Sequence, residues 1–292
     1  MLLAPMDGYT DAPFRLICQK VGAEYCYTEM ISAAGFLRGT EAALAKAFVG
    51  KRDRSGLQLF GCKLEEFLPA VKKVNEMLEG GKKESSHPKS IDLNLGCPVK
   101  KVMEMGAGAA LMAKPALVND ILNSMERAAI LPISAKIRLG ISKPDRWKPM
   151  IKALNKHSLE HVTVHLRTAN QMYSGKAEWG LVPDIVSYSA NPIIANGDVR
   201  SQEDAKTLIE MGAKNAMAGR AALTNPFLFS GEKNSREKSD RFLEDYCKLA
   251  EKSGCFDETQ YNRISLKVHH GFEGARKIRG ATTCKKCCLT QA

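Results

Sequence analysis

Eight short runs with β-strand character recur along about the first 230 residues, each followed by helical patterning, and no other feature restricts the fold as tightly. The runs are Leu2–Pro5, Tyr25–Thr28, Leu57–Phe60, Ile91–Asn94, Ile133–Ile137, His161–His165, Ile193–Asn196 and Asn215–Ala218. Eight βα units over that length fit a (β/α)8 TIM barrel better than an open doubly wound sheet. The first βα turn also lacks the G-x-G-x-x-G of a dinucleotide-binding half. Between the third and fourth runs, Phe67, Val71, Val74 and Leu78 recur at helical spacing. After the seventh, Ser201-Gln202-Glu203-Asp204 reads as a capping box, with Leu208 and Ile209 on the buried face and Gly212 as a left-handed stop. Beyond Phe229 the chain turns polar from Ser230 to Ser239, which reads as a boundary. Phe242, Tyr246, Leu249 and Ala250, then Ile264, Leu266, Val268 and Phe272, mark two further helical segments. The expected organisation is a barrel over residues 1–230 and a small C-terminal helical domain with a cysteine-containing tail over 231–292.

A barrel carries its chemistry at the carboxyl ends of its strands. The expected strand ends supply Pro5-Met6-Asp7, Thr28-Glu29, Gln58, Asn94 with Cys97, Lys136 with Arg138, His165 with Arg167, Asn196-Gly197-Asp198 and Gly219-Arg220. Lys136 stands out because it interrupts an apolar run, and an unpaired ammonium is costly to bury. An anionic ligand facing into the barrel would satisfy it. The last two strand ends lie where barrels often hold phosphate, and Arg220 can add a bidentate charge. Gly96-Cys97-Pro98 is a sharp turn that presents a thiol, and the glycine-rich Gly106-Ala107-Gly108-Ala109-Ala110 reads as a mobile loop beside it.

The nine cysteines lack paired spacing, which points to free thiols in a reducing, cytoplasmic setting. Cys284-Lys285-Lys286-Cys287-Cys288 would need further ligands to hold a metal, and only Cys255 or His269/His270 are near in sequence, so no metal site is expected. No apolar run approaches the roughly 18 residues of a membrane span. The net charge of +11 favours a polyanionic partner, with local clusters such as Arg276-Lys277-Ile278-Arg279.

Seven segments in order resemble the tRNA-dihydrouridine synthase family. They begin at Leu3-Ala4-Pro5-Met6-Asp7-Gly8-Tyr9-Thr10-Asp11-Ala12-Pro13-Phe14-Arg15, Leu57-Gln58-Leu59-Phe60-Gly61 and Ile91-Asp92-Leu93-Asn94-Leu95-Gly96-Cys97-Pro98. Lys136-Ile137-Arg138-Leu139-Gly140 follows, then the run from His165-Leu166-Arg167 to Glu178-Trp179. Ile194-Ala195-Asn196-Gly197-Asp198-Val199 and Gly219-Arg220-Ala221-Ala222-Leu223-Thr224-Asn225-Pro226 complete the set. Departures are small: Gly108-Ala109-Ala110-Leu111 stands for the family's Gly-Gly-Ala-Leu, and His165-Leu166-Arg167 for His-Gly-Arg.

The resemblance implies an FMN enzyme that reduces the C5=C6 bond of selected uridines in tRNA, with NADPH or NADH as reductant. It implies that Pro5, Met6, Asp7, Gln58, Lys136 and His165 contact the flavin, and that Asn196, Gly197, Asp198, Gly219 and Arg220 hold its phosphate end. Cys97 matches the general acid, and Asn94 and Arg138 match groups facing the uracil. Arg276 and Arg279 fall in a segment like the family's tRNA-contacting helix, and a monomer is expected. A flavin barrel acting on a free pyrimidine shares the flavin contacts but needs neither the positive charge nor the basic appendage.

Overall fold

The computed structural model describes residues 1–47, 53–80, 87–253 and 257–272. Arg276, Arg279 and the cysteines at 284, 287 and 288 lie outside the described residues.

Nine parallel strand segments form the barrel: β1 (Leu2–Leu3), β2 (Cys26–Tyr27), β3 (Ile31–Ser32), β4 (Ser55–Phe60), β5 (Ile91–Leu95), β6 (Ile133–Arg138), β7 (Val162–His165), β8 (Ile193–Asn196) and β9 (Asn215–Ala218). They run in the order β1-β9-β8-β7-β6-β5-β4-β2, and a parallel bridge from Leu2 to Tyr25 joins the two ends. The eight expected staves are therefore present. The second is broken in two, since β2 and β3 both pair with β4 (Cys26 with Ser55, Ile31 with Leu59). At the break, Thr28 Oγ1 accepts the Gln58 amide at 3.1 Å, so a side chain satisfies the donor there.

The period-2 alternation decides which residues meet the site. On β5, Ile91, Leu93 and Leu95 join the apolar layer shared with the outer helices. Asp92 and Asn94 point the other way, into the barrel. The register sets Asp92 beside Ser134, Asn94 beside Lys136, Arg138 beside His165, and His165 beside Asn196. The polar residues of four strands thus share one interior. Below them a small separate cluster of Leu2, Ala4, Tyr27, Ile194 and Met217 fills the barrel.

The helix Leu64–Gly80 buries Phe67, Val71 and Val74 as its spacing predicts, with Leu78 only partly covered. Ser201 Oγ caps the helix Gln202–Glu210 by accepting the Asp204 amide, and the Asp204 carboxylate reaches back to the Arg200 amide. Its buried face is Ala205 and Leu208; Ile209, expected inside, is 45% exposed because the turn rotates it past the sheet.

The helix Arg236–Lys252 packs on the helix Ala12–Lys20 and the helix Glu258–Val268 on the short helix Arg220–Thr224, and their apolar residues belong to the same core cluster as the barrel's outer layer. Phe242 meets Phe14 edge-on at 5.5 Å, and Tyr246 donates to Asp11, the cap of Ala12–Lys20. His269 Nε2 lies 2.8 Å from Asp240, tying the two appended helices together. Among the described residues no helix is long and apolar enough to cross a membrane, and no cluster of potential metal ligands occurs.

Candidate active site

A cavity of about 820 Å³ opens at the carboxyl ends of the strands. Every expected site residue that is described lines it: Pro5, Met6 and Asp7 from the first loop, then Gln58, Asn94, Cys97, Lys136, Arg138, His165, Asn196, Gly197, Asp198, Gly219 and Arg220. Tyr173, Arg200 and Lys267 also line it and were not singled out from the sequence. Arg200 lies two residues past Asp198, near enough for strand-end reasoning to have found it. Lys267 comes from the second appended helix, and nothing in its local sequence places it over the barrel mouth.

The thiol turn is built on Asn94. Its Oδ1 accepts the amides of Gly96 at 3.1 Å and Cys97 at 2.9 Å, which fixes the chain as it leaves β5. Burial pushes the Cys97 thiol above its ordinary value, although Arg138 and Lys136 pull it down. The thiol is protonated at neutral pH.

The stretch from Gly106 is a packed support for this turn and not the mobile loop expected. Ala107 and Ala109 are fully buried, Gly108–Ala113 forms a 3₁₀ helix, and the Ala109 amide donates to the Cys97 carbonyl at 3.0 Å. Small residues are required here by close approach. Gly108 has φ +59, and a Cβ on it would lie 2.7 Å from the Cys97 carbonyl oxygen. Gly108→Ala is therefore expected to destabilise the protein by about 1–3 kcal/mol and to displace the Cys97 turn. Chemical denaturation checks the first effect, and the alkylation rate of Cys97 checks the second.

Lys136 reaches the cavity from the middle of the barrel, where Nζ donates to Asn196 Oδ1 at 2.9 Å. Asn196 in turn donates to the Met217 carbonyl at 2.8 Å, so its oxygen is held toward the lysine. Burial, reinforced by Arg138, pushes Lys136 down to about 7. His165 is driven well below its usual range by burial, then by Lys136 and Arg138, and is a neutral imidazole. Gly197, at φ +120, presses against it; a Cβ there would sit 3.1 Å from His165 Cδ2.

Arg138 is nearly buried and spends its donors on carbonyls. Nε meets Gly96 O at 2.8 Å, and Nη1 meets Thr168 O at 2.8 Å and Met172 O at 3.0 Å. It braces the thiol turn against the loop that follows β7. Arg167 pins the same loop through Ser174 O and Gly175 O, and Nη2 pairs with Asp198 at 2.6 Å. Asp198 adopts a left-handed φ of 56°, and its carboxylate also accepts the Ala177 amide at 2.9 Å. Arg220 and Arg200 stand 3.6 and 3.9 Å from the other carboxylate oxygen. Burial opposes ionisation of Asp198, but the Arg167 and Ala177 hydrogen bonds and the charges of Arg167 and Arg200 together outweigh it and hold the carboxyl below its ordinary value. Three guanidiniums around one carboxylate leave surplus positive charge at the cavity edge. Arg220 also lies 4.6 Å above the Tyr173 ring.

The arrangement defines a class first: a (β/α)8 barrel whose polar cavity, at the strand carboxyl ends, joins a protonated thiol, a cation and an anion-attracting rim. Within that class the chain belongs to the dihydrouridine synthase family, matching the family described as Dihydrouridine synthase (Dus) over residues 2–284. It is 34% identical over 302 residues to a probable tRNA-dihydrouridine synthase of Aquifex aeolicus, covering 98% of this chain and 93% of that protein. It is 36% identical over 247 residues to tRNA-dihydrouridine synthase B of Pasteurella multocida, covering 84% and 72%. Among solved structures, DHODH of Eimeria tenella in complex with ferulenol superposes with a TM-score of 0.56 at 13% identity, covering 87% of this chain and 82% of that one. An old yellow enzyme homologue of Zymomonas mobilis reaches 0.50 at 12% identity, covering 77% and 86%. At such identities the likeness concerns the barrel fold alone.

Proposed function

We propose that this protein reduces the C5=C6 bond of selected uridines in tRNA, using FMN held in the barrel cavity and NADPH or NADH as electron donor. The observation that carries the reading is the single cavity joining Cys97, Lys136 and the Arg167–Asp198–Arg220 rim. The relatives' names support the substrate class.

The residues fit a flavin mononucleotide. Lys136 has one side-chain acceptor, Asn196, and donors to spare for an anionic ring edge. Gly219 leaves room that a side chain would fill, since a Cβ would lie 3.5 Å from that of Ala4. Asn196, Gly197, Gly219 and Arg220 would hold the phosphate end. The Asp198 carboxylate would act there by orienting Arg167, Arg220 and Arg200, because a carboxylate repels phosphate. Pro5, Met6, Asp7, Gln58 and His165 would flank the ring. Bound FMN supplies the hydride that arrives at uracil C6. Cys97 gives its proton to C5 and is reprotonated from solvent, while Asn94 and Arg138 orient the base and its loop. The helices after residue 231, with Lys267 at the cavity, would carry the tRNA together with Arg276 and Arg279 of the basic segment, in a cytoplasmic, monomeric enzyme.

The test is to purify the protein, titrate it with FMN, and follow dihydrouridine formation in tRNA by mass spectrometry. A protein that neither binds FMN nor modifies uridine-containing tRNA would reject the reading.

Lys136 makes a pH prediction. An anionic ligand beside it draws its pKa up from about 7 toward the ordinary lysine range, so binding takes up a proton. Lys136 therefore adds nothing to the pH dependence below pH 7. Above it, FMN affinity falls as pH rises, by up to about tenfold per unit. Lys136→Met should remove that added slope. Parallel profiles for the two proteins would eliminate Lys136 as the coupled group.

A further inference from the structure

We infer that Asp92 is a positioning residue, the terminal acceptor of a buried one-way hydrogen-bond chain that orients Gln58, Asn94 and the Cys97 turn. The inference rests on the functional reading above for what those groups face, but the chain itself is read from geometry. Asp92 does not line the cavity; it lies behind Gln58 and Asn94, which do.

The direction of the chain is set at its upper end. The Gly96 and Cys97 amides can only donate, and both donate to Asn94 Oδ1. The Asn94 oxygen therefore faces the turn, and its Nδ2 faces away, donating to Gln58 Oε1 at 2.8 Å. Gln58 must then turn its Nε2 to the next partner, Asp92 Oδ2, at 2.7 Å. The other carboxylate oxygen accepts the Ser134 hydroxyl at 2.6 Å. Each amide could in principle flip end for end. Two backbone donors at one end and a carboxylate at the other leave a single arrangement.

The strand register places the acceptor where it is needed. Asp92 is paired with Gln58 on β4 and with Ser134 on β6, so both neighbouring strands direct a donor at it. Asp92 and Gln58 are each 1% exposed and Ser134 is fully buried, so a mismatched link has no water to relieve it. Burial pushes the Asp92 carboxyl up to about 6, opposed by Ser134, Gln58 and Lys136, which leaves it ionised at neutral pH.

One consequence reaches the substrate. Both lone pairs of Asn94 Oδ1 are taken by the turn, so toward a ligand Asn94 offers only the N–H that otherwise meets Met30 Sδ at 3.9 Å. It can pair with a carbonyl oxygen of a pyrimidine and not with a ring N–H. The turn amides orient that donor, and Asp92 holds Gln58 in the one orientation that agrees with it.

The test is a cycle of Asp92→Asn, Ser134→Ala and the double variant. In Asp92→Asn the new amide can accept from Gln58 and donate to the Ser134 oxygen, so the direction survives. In Ser134→Ala the carboxylate still accepts from Gln58. In the double variant the new N–H loses the Ser134 oxygen, and turning it to Gln58 Oε1 would set the lower end of the chain against the turn amides that fix Asn94. Each single variant should bind FMN within about threefold of wild type, and the double should bind about tenfold more weakly or worse. The alkylation rate of Cys97, followed on its own peptide, should change in the double alone. That second readout needs no flavin, so it still decides the role of Asp92 if wild-type protein fails to bind FMN and the functional reading falls. Additive effects in the cycle, with Cys97 alkylation unchanged, would overturn the inference and leave Asp92 as core packing.

Discussion

Cys97→Ala is expected to lose about 10²–10⁴-fold in single-turnover reduction of tRNA while binding FMN and tRNA as wild type does. The C5=C6 bond is polarised so that hydride at C6 leaves negative charge toward C5 and O4, which a proton at C5 must discharge. In the function proposed above, Cys97, a thiol lining the cavity, delivers that proton. Asn94 anchors its amide, Ala109 anchors its carbonyl, and burial keeps it protonated near neutrality. The other described cysteines are placed differently. Cys18, Cys26 and Cys247 are buried in the outer core, and Cys62 donates to the Met105 carbonyl away from the cavity. Rapid mixing of reduced enzyme with unmodified tRNA measures the step. A variant that reduces uridine at the wild-type rate would show that another group delivers the proton.

Arg15→Ala is expected to cost about 3–5 kcal/mol of stability. Arg15 and Asp53 are each about 1% exposed, and Nη2 meets Oδ2 at 2.7 Å. Arg15 also donates to Ser55 Oγ at 3.0 Å and to the Thr10 carbonyl at 2.8 Å, joining the first loop and helix to the start of β4. Removing the guanidinium leaves the Asp53 carboxylate buried with, among the described residues, Gln19 and Ser55 to answer it. The penalty is mainly that uncompensated charge, not the worth of the pair. Arg15→Met with Asp53→Leu should accordingly recover most of the loss, because nothing charged is then left inside. Urea denaturation of the three proteins checks this. A double variant as unstable as Arg15→Ala would point instead to the lost link with Thr10 and Ser55.

The barrel was legible because its strands obey a simple period. Ile91, Leu93 and Leu95 face the helices while Asp92 and Asn94 face inward, and that alternation is written in the chain. The broken second stave was not legible. Its resumption at Ile31 depends on β4 lying alongside and on Thr28 taking the Gln58 amide. Ile209 was misplaced for a related reason: apolar spacing marks a helix face, but only the neighbouring sheet decides how far round that face is covered. The glycine-rich stretch misled most. Small residues permit motion and also permit close approach, and the Cys97 turn lying against Gly108 selects the second.

The eightfold order of strands and the residues at their carboxyl ends follow from local periodicity and chain order alone. That order places the thiol turn, the lysine within a strand and the basic rim on separate strands. How these groups are used depends on contacts made in the folded chain. Arg138 lines the cavity and also braces two loops; Asp198 lines it and gathers three arginines; and Lys267 arrives from a distant helix. The physical reason is common to all three. A charged side chain is committed by the partners within hydrogen-bonding reach, and in a closed barrel those partners come from strands and loops far away in sequence.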